Sequence, residues 1–206
     1  MRTVFRPDDP DVNGYDLLTS LVVPRPIAWI TTVDADGIGN LAPHSFFNVA
    51  CARPPMVSFT SIGRKDTLRN VLAVGDFVVN IVSHDQAELA NASSARFDAD
   101  VDEAEVLGIR LERSDVVEVP RVANSMAAIE CTLHTNLDLD TANLVIGEVR
   151  AISVRDEALV GGRPVMDVLR PVSRLGRNEW GLPPEVFRLD RPGRPPSGTS
   201  SRHRPG

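Results

Sequence analysis

The chain has 206 residues and a net charge of -6, which fits one compact domain and argues against a nucleic-acid or anionic-membrane surface. Apolar residues make up 42% and aromatic residues only 5%, so the core must be built chiefly from Val, Leu, Ile and Ala. No stretch approaches the ~20 apolar residues of a membrane span, and the start, Met1 to Asp9, lacks the apolar run of a secretion signal, so a cytoplasmic protein is expected.

Residues 1–14 read as an N-terminal arm, 15–188 as the folded domain, and 189–206 as a disordered tail rich in Pro, Arg and Ser. Ile27 to Thr32 is β-rich, Asp36-Gly37 supplies a turn, and a second strand follows through Asn40 and Ala42, which together predict a hairpin. Met56 to Phe59 reads as a short buried strand after the Pro54-Pro55 break. Asp66 is placed to cap a helix over Thr67 to Val74, and Gly75 to end it. Phe77 to Val82 is a strongly β-prone run. Ser83 and Gln86 form a capping-box pattern that opens a helix reaching about Ala92. Asp102 to Leu107 predicts another short helix. Two long strands follow, Met126 to Leu137 and Leu144 to Val154, joined by Asp138 to Thr141.

Along the first of these, Ala128, Glu130, Thr132 and His134 share one face, while Ile129, Cys131, Leu133 and Thr135 share the other. That alternation suits a barrel wall with one buried face, the Glu130 and His134 side being the polar one. Gly161-Gly162 marks a further turn. The strands cluster without regular strand–helix alternation. A mainly β fold is therefore expected, an antiparallel barrel with short helical insertions.

Gly37-Ile38-Gly39-Asn40-Leu41-Ala42 matches a dinucleotide-binding spacing, but such a motif must open a helix, and Pro43 restricts Ala42 to extended geometry. The two glycines are assigned to the hairpin. Ser61-Ile62-Gly63-Arg64-Lys65-Asp66-Thr67 places two adjacent cations before a helix start, where the dipole is already positive. An anion seated there makes the arrangement favourable, accepting from backbone N–H groups, from Arg64 and Lys65, and from the Ser61 and Thr67 hydroxyls. A solvated basic turn with Asp66 as the cap is the other account. Asn40 to Asn48 mixes small, amide, hydroxyl and aromatic side chains. It suits the edge of a flat heterocycle, or a turn with Phe46 and Phe47 in the core. Cys51 and Cys131 make neither a disulfide framework nor a zinc set, the four histidines have no metal-ligand spacing, and no nucleophilic triad or acid–base residue stands out.

Taken in order, Val23-Pro24-Arg25-Pro26-Ile27-Ala28-Trp29-Ile30, Asn40 to Asn48, Pro54-Pro55-Met56-Val57-Ser58-Phe59, Arg64-Lys65-Asp66-Thr67-Leu68-Arg69-Asn70 and Phe77-Val78-Val79-Asn80 resemble the flavin reductase-like, FMN-binding split-barrel family. Ile146-Gly147-Glu148-Val149 and Arg174-Leu175-Gly176 match later positions more weakly. The resemblance implies a split β-barrel with a Greek-key core, FMN near a homodimer interface, and NADH or NADPH as co-substrate. It implies a flavin reductase, with a flavin-using oxygenase as a possible partner, or an FMN-holding electron carrier without a nicotinamide site. By the resemblance, Ala42, Pro43, His44 and Ser45 line the flavin ring, and Ser61, Arg64, Lys65, Asp66 and Thr67 line its phosphate. Two departures bear on nicotinamide use: Arg150-Ala151-Ile152-Ser153 carries no histidine, and Trp180 stands where relatives often have Tyr.

Overall fold

The computed structural model describes residues 1–191 and residue 193, so the expected tail over 189–206 falls mostly outside the described residues. Regular structure begins with α1 (Gly14–Leu21), capped by Asn13, whose Oδ1 accepts from the Asp16 N–H at 3.1 Å. Then come β1 (Arg25–Pro26), β2 (Ala28–Val33), β3 (Gly39–His44), β4 (Phe47–Ala52) and β5 (Pro55–Ile62). The predicted hairpin is β2–β3. The strand expected at Met56 is longer than predicted, and β4 pairs with it. Asn40 to Asn48 is not one strand: it turns at Ser45 and Phe46 between β3 and β4.

Next are α2 (Asp66–Val74), β6 (Asp76–Ile81), α3 (Ala87–Ala92), α4 (Glu103–Val106), β7 (Leu111–Glu112) and β8 (Arg121–Val122). The long strands are β9 (Ala127–Asp138) and β10 (Ala142–Val154). Short elements close the described chain: β11 (Leu159–Val160), β12 (Arg163–Pro164), α5 (Met166–Leu169), β13 (Ser173–Arg174) and β14 (Trp180–Gly181). Gly75 ends α2 in the left-handed region, at φ 92°. Gln86 accepts from the Ser83 N–H at 3.2 Å, as the capping box predicts, though the first turn after Ser83 is a 3-10 turn.

Seven strands form one antiparallel sheet in the order β3-β2-β6-β9-β10-β5-β4. Its two outermost strands, β3 and β4, are consecutive in the chain and joined by only Ser45 and Phe46. The sheet must therefore curl until its margins meet. The Thr60 N–H of β5 donates to the Phe46 carbonyl at 2.8 Å, carrying the β4–β5 ladder one residue into that join.

Alternation along β2 serves two cores. Ala28 and Ile30 point inward with Phe59, Phe77, Val79, Cys131 and Val145, and α2 seals this core with Leu68 and Val71. Ile27 and Trp29 point outward and pack under α3 and α4 with Leu41, Val82, Ala90 and Ala104. Gly147 of β10 leaves room for the Phe77 ring, since a Cβ there would collide with it.

The supposedly polar face of β9 needs correction. His134 is exposed, but Glu130 is fully buried. Its carboxylate accepts from the N–H groups of Asp115, Val116 and Val117 at 2.9, 2.7 and 3.1 Å, with Arg121 at 3.6 Å. A buried charge requires such saturation. Its partners lie 13–15 residues away in a loop, beyond the reach of strand periodicity.

Candidate functional site

A cavity of about 600 Å³ opens beside the join of β3 and β4, a size within the range of cofactor sites. Ala42, Pro43, His44 and Ser45 form one wall, and Arg64, Lys65, Asp66 and Thr67 line the end at the start of α2. Ser93 to Phe97, the segment after α3, Glu103 of α4, and Tyr15, Asn40, Phe46, Thr60 and Ile62 also line it. Ser61 is not brought to the cavity: it is fully buried, and its hydroxyl donates to the Gly63 carbonyl at 3.0 Å.

The start of α2 differs from expectation. Lys65 occupies the cap position, no side chain caps the helix, and Asp66 is the first helical residue. A cap must precede the first turn to accept from its N–H groups. From inside that turn, Asp66 instead pairs with Arg69, three residues on. The first N–H groups of α2 thus have no side-chain acceptor. Arg64 and Lys65 are exposed and form no ion pair among the described residues. Arg96 adds a third cation to the lining.

Behind this surface runs a buried polar chain. Asn40 Nδ2 donates to Thr67 Oγ1 at 3.0 Å, and Thr67 Oγ1 lies 3.3 Å from His44 Nε2. Asn70 Nδ2 donates to Thr32 Oγ1 at 3.1 Å, tying α2 to β2. Burial lowers the His44 pKa to about 4, the Lys65 charge adds to the effect, and a backbone hydrogen bond with Thr60 opposes it. His44 is therefore neutral at neutral pH, and its Nε2 can accept the Thr67 proton. The Thr67 hydroxyl accepts from Asn40 and faces His44, and so links β3 to α2 from within the cavity lining.

Glu103 is buried at the other side of β3, where its Oε2 accepts from the Leu41 N–H at 2.8 Å. Burial pushes its carboxyl above the usual range, partly offset by that hydrogen bond. The Ser93 segment is anchored from below: the indole N–H of fully buried Trp29 donates to Ser93 Oγ at 2.9 Å. Glu103 and Ser93 to Phe97 escape a reading of local pattern because their approach to the cavity depends on α3 and α4 packing on Trp29 and Leu41. A Ser-Ser-Ala-Arg run directly after a helix is the one local hint.

The arrangement suits an elongated ligand with an anionic end. Among the described residues, no group of His, Cys, Asp and Glu is placed to hold a metal ion.

The profile of the flavin reductase like domain matches residues 20–168. The chain belongs to this family. Several solved structures share this barrel. Pseudomonas fluorescens 2-nitrobenzoate 2-nitroreductase NbaA matches with a TM-score of 0.87 and 31% identity, covering 96% of this chain and 100% of that one. Nitrilotriacetate monooxygenase component B from Bacillus cereus matches with a TM-score of 0.85 and 31% identity, covering 92% of this chain and 98% of that one. A Shewanella frigidimarina protein with a split barrel domain matches with a TM-score of 0.82 and 24% identity, covering 88% and 95%. The flavin reductase-like chain described here is thus a mainly β split barrel, as the sequence resemblance implied, and its described helices include none long and apolar enough to cross a membrane.

Proposed function

We propose that the protein is an FMN-binding oxidoreductase, an NAD(P)H-dependent flavin reductase working as a cytoplasmic homodimer. The observation that carries this reading is one cavity joining an uncapped helix start, flanked by Arg64 and Lys65 with no ion pair among the described residues, to the wall Ala42 to Ser45.

These residues fit FMN. The α2 N–H groups with Arg64 and Lys65 would hold the phosphate, where helix dipole and cations act together. Ala42, Pro43, His44 and Ser45 would line the isoalloxazine. Bound FMN supplies hydride transfer at its N5, with NADH or NADPH as donor. The chain's own task is to position and shield. Neutral His44 adds no charge to the ring wall, and its contact with Thr67 keeps that wall in register with the phosphate end. No residue is assigned an acid–base role.

The relative from Bacillus cereus, a monooxygenase component, supports a place beside a flavin-using oxygenase. The reading is tested in two steps. Purified protein should carry, or take up, FMN and show its visible absorbance. Anaerobic mixing with NADH or NADPH should then bleach that band. Colourless protein that binds no FMN would end the proposal.

A second reading, an FMN-holding electron carrier, is favoured by one observation: none of Arg150 to Ser153 lines the cavity. In that case neither nicotinamide bleaches the flavin, but a reduced protein donor does.

A further inference from the structure

A smaller chamber of about 210 Å³ adjoins the main cavity across Pro43, Ser45 and Ser94, and is closed by Ile27, Arg174 and Trp180. Its chemistry is divided. Ile27, Pro43 and the Trp180 indole offer flat apolar surface. Arg174 offers one cation, with its guanidinium carbon 5.4 Å from the Trp180 ring centroid.

Arg174 is held in an unusual electrostatic position. In the sheet β1-β13-β14 it lies directly opposite Trp180 on one side and Arg25 on the other. Like charges directly opposite on paired strands destabilise a sheet. Arg25 is compensated: its guanidinium donates to the carbonyls of Thr19, Val22 and Leu175. Arg174 is not. One of its nitrogens donates to the Arg177 carbonyl, and no carboxylate pairs with it among the described residues. Asp16 is paired with Arg177. The repulsion is felt at Arg25, whose pKa is lowered by burial and by Arg174.

We propose that this chamber is a binding subsite for a planar aromatic monocarboxylate, its ring against Trp180 and Pro43 and its carboxylate on Arg174. The volume admits one substituted six-membered ring and lies below the range of drug-sized or dinucleotide ligands. A single guanidinium without a carboxylate partner among the described residues, with serine hydroxyls nearby, matches one carboxylate, and Arg presents it a planar fork. The inference rests on the flavin reading for its purpose, because a ring held here lies against the Pro43 and Ser45 wall that the isoalloxazine would share. Such a molecule would be placed as an acceptor, or as a competitor of the nicotinamide.

Calorimetric titration with benzoate and with benzamide tests it, on FMN-loaded and flavin-free protein separately. Benzoate should bind at least tenfold more tightly than benzamide. Arg174→Gln should abolish that preference, Arg174→Lys should restore part of it, and Trp180→Leu should weaken both probes, with FMN retention unchanged throughout. Thermal melting of each variant checks that it is folded. Equal binding of benzoate and benzamide, or a preference that survives Arg174→Gln, overturns the subsite. Arg174-dependent benzoate binding in a protein that never takes up FMN leaves the subsite standing and removes the flavin reading instead.

Discussion

Lys65 illustrates how much a single side chain can be asked to carry. It sits at the cap position of α2 with an extended backbone and forms no ion pair among the described residues. If it holds a phosphate, it does so through a charge-assisted hydrogen bond worth ~1.5–3 kcal/mol. Lys65→Ala should then weaken FMN binding roughly tenfold or more, read by quenching of FMN fluorescence on titration. Unchanged affinity would take Lys65 out of the site. His44 makes a different, pH-dependent contribution. Its pKa is about 4 in the folded chain against 6.5 for a free imidazole, so the folded state binds fewer protons between those values. Its stabilising contribution is complete above pH 6.5 and fades as the pH falls toward 4. The loss amounts to roughly 3 kcal/mol at most. Glu103 is shifted in the opposite sense, so the test is comparative: the urea midpoint of His44→Gln should fall less steeply over this window than that of the unaltered protein. At this scale the charged residues were legible, because Arg64-Lys65 before a helix is a local pattern. The hydroxyls were not. Ser61 and Thr67 look like free donors in the sequence, and only the folded chain shows them engaged with Gly63, Asn40 and His44.

Elements were readable where the local sequence is distinctive. The β2–β3 hairpin and β6 announce themselves by continuous β-prone runs and turn residues, β9 by alternation, and α4 by Asp102, whose carboxylate accepts from the Ala104 and Glu105 N–H groups. α1 and β4 were not readable. α1 leaves Tyr15, Leu18 and Leu21 exposed, and β4 leaves Val49 exposed, so their apolar residues do not mark a face turned to the core. The Glu130 latch is invisible for a related reason: it saturates a loop rather than extending a strand. Gly147 shows how an element can depend on the absence of a side chain. Gly147→Ala would press a methyl group into the Phe77 ring and the Cys131 side chain, at a cost of about 1–3 kcal/mol. The melting temperature should drop, and Phe77→Leu in the same chain should recover part of the loss, making the pair non-additive. Additive effects would mean that the two positions do not share this space.

The whole molecule carries an unfinished surface. β4 is the last strand of the sheet, and Val49 on it is 72% exposed. Leu18, Val22, Phe46 and Phe47 line a third hollow nearby. Exposed apolar side chains gathered at one margin of the barrel invite a partner surface, which is the physical ground for the proposed homodimer. In sedimentation or light scattering the protein should run at twice the 22.4 kDa of the chain, and Val49→Lys should shift it toward the monomer. A wild-type chain that stays monomeric at high concentration would remove the dimer. The same scale gives meaning to the two-residue join at Ser45 and Phe46. The barrel is a hoop fastened by one short buckle, and the cavity sits over the buckle, touching Pro43 to Phe46 on one side and Thr60 and Ile62 on the other. Whatever occupies the cavity therefore straddles the fastening. Its binding energy would be felt as hoop tension, tightening the entire wall and not only the few groups it touches.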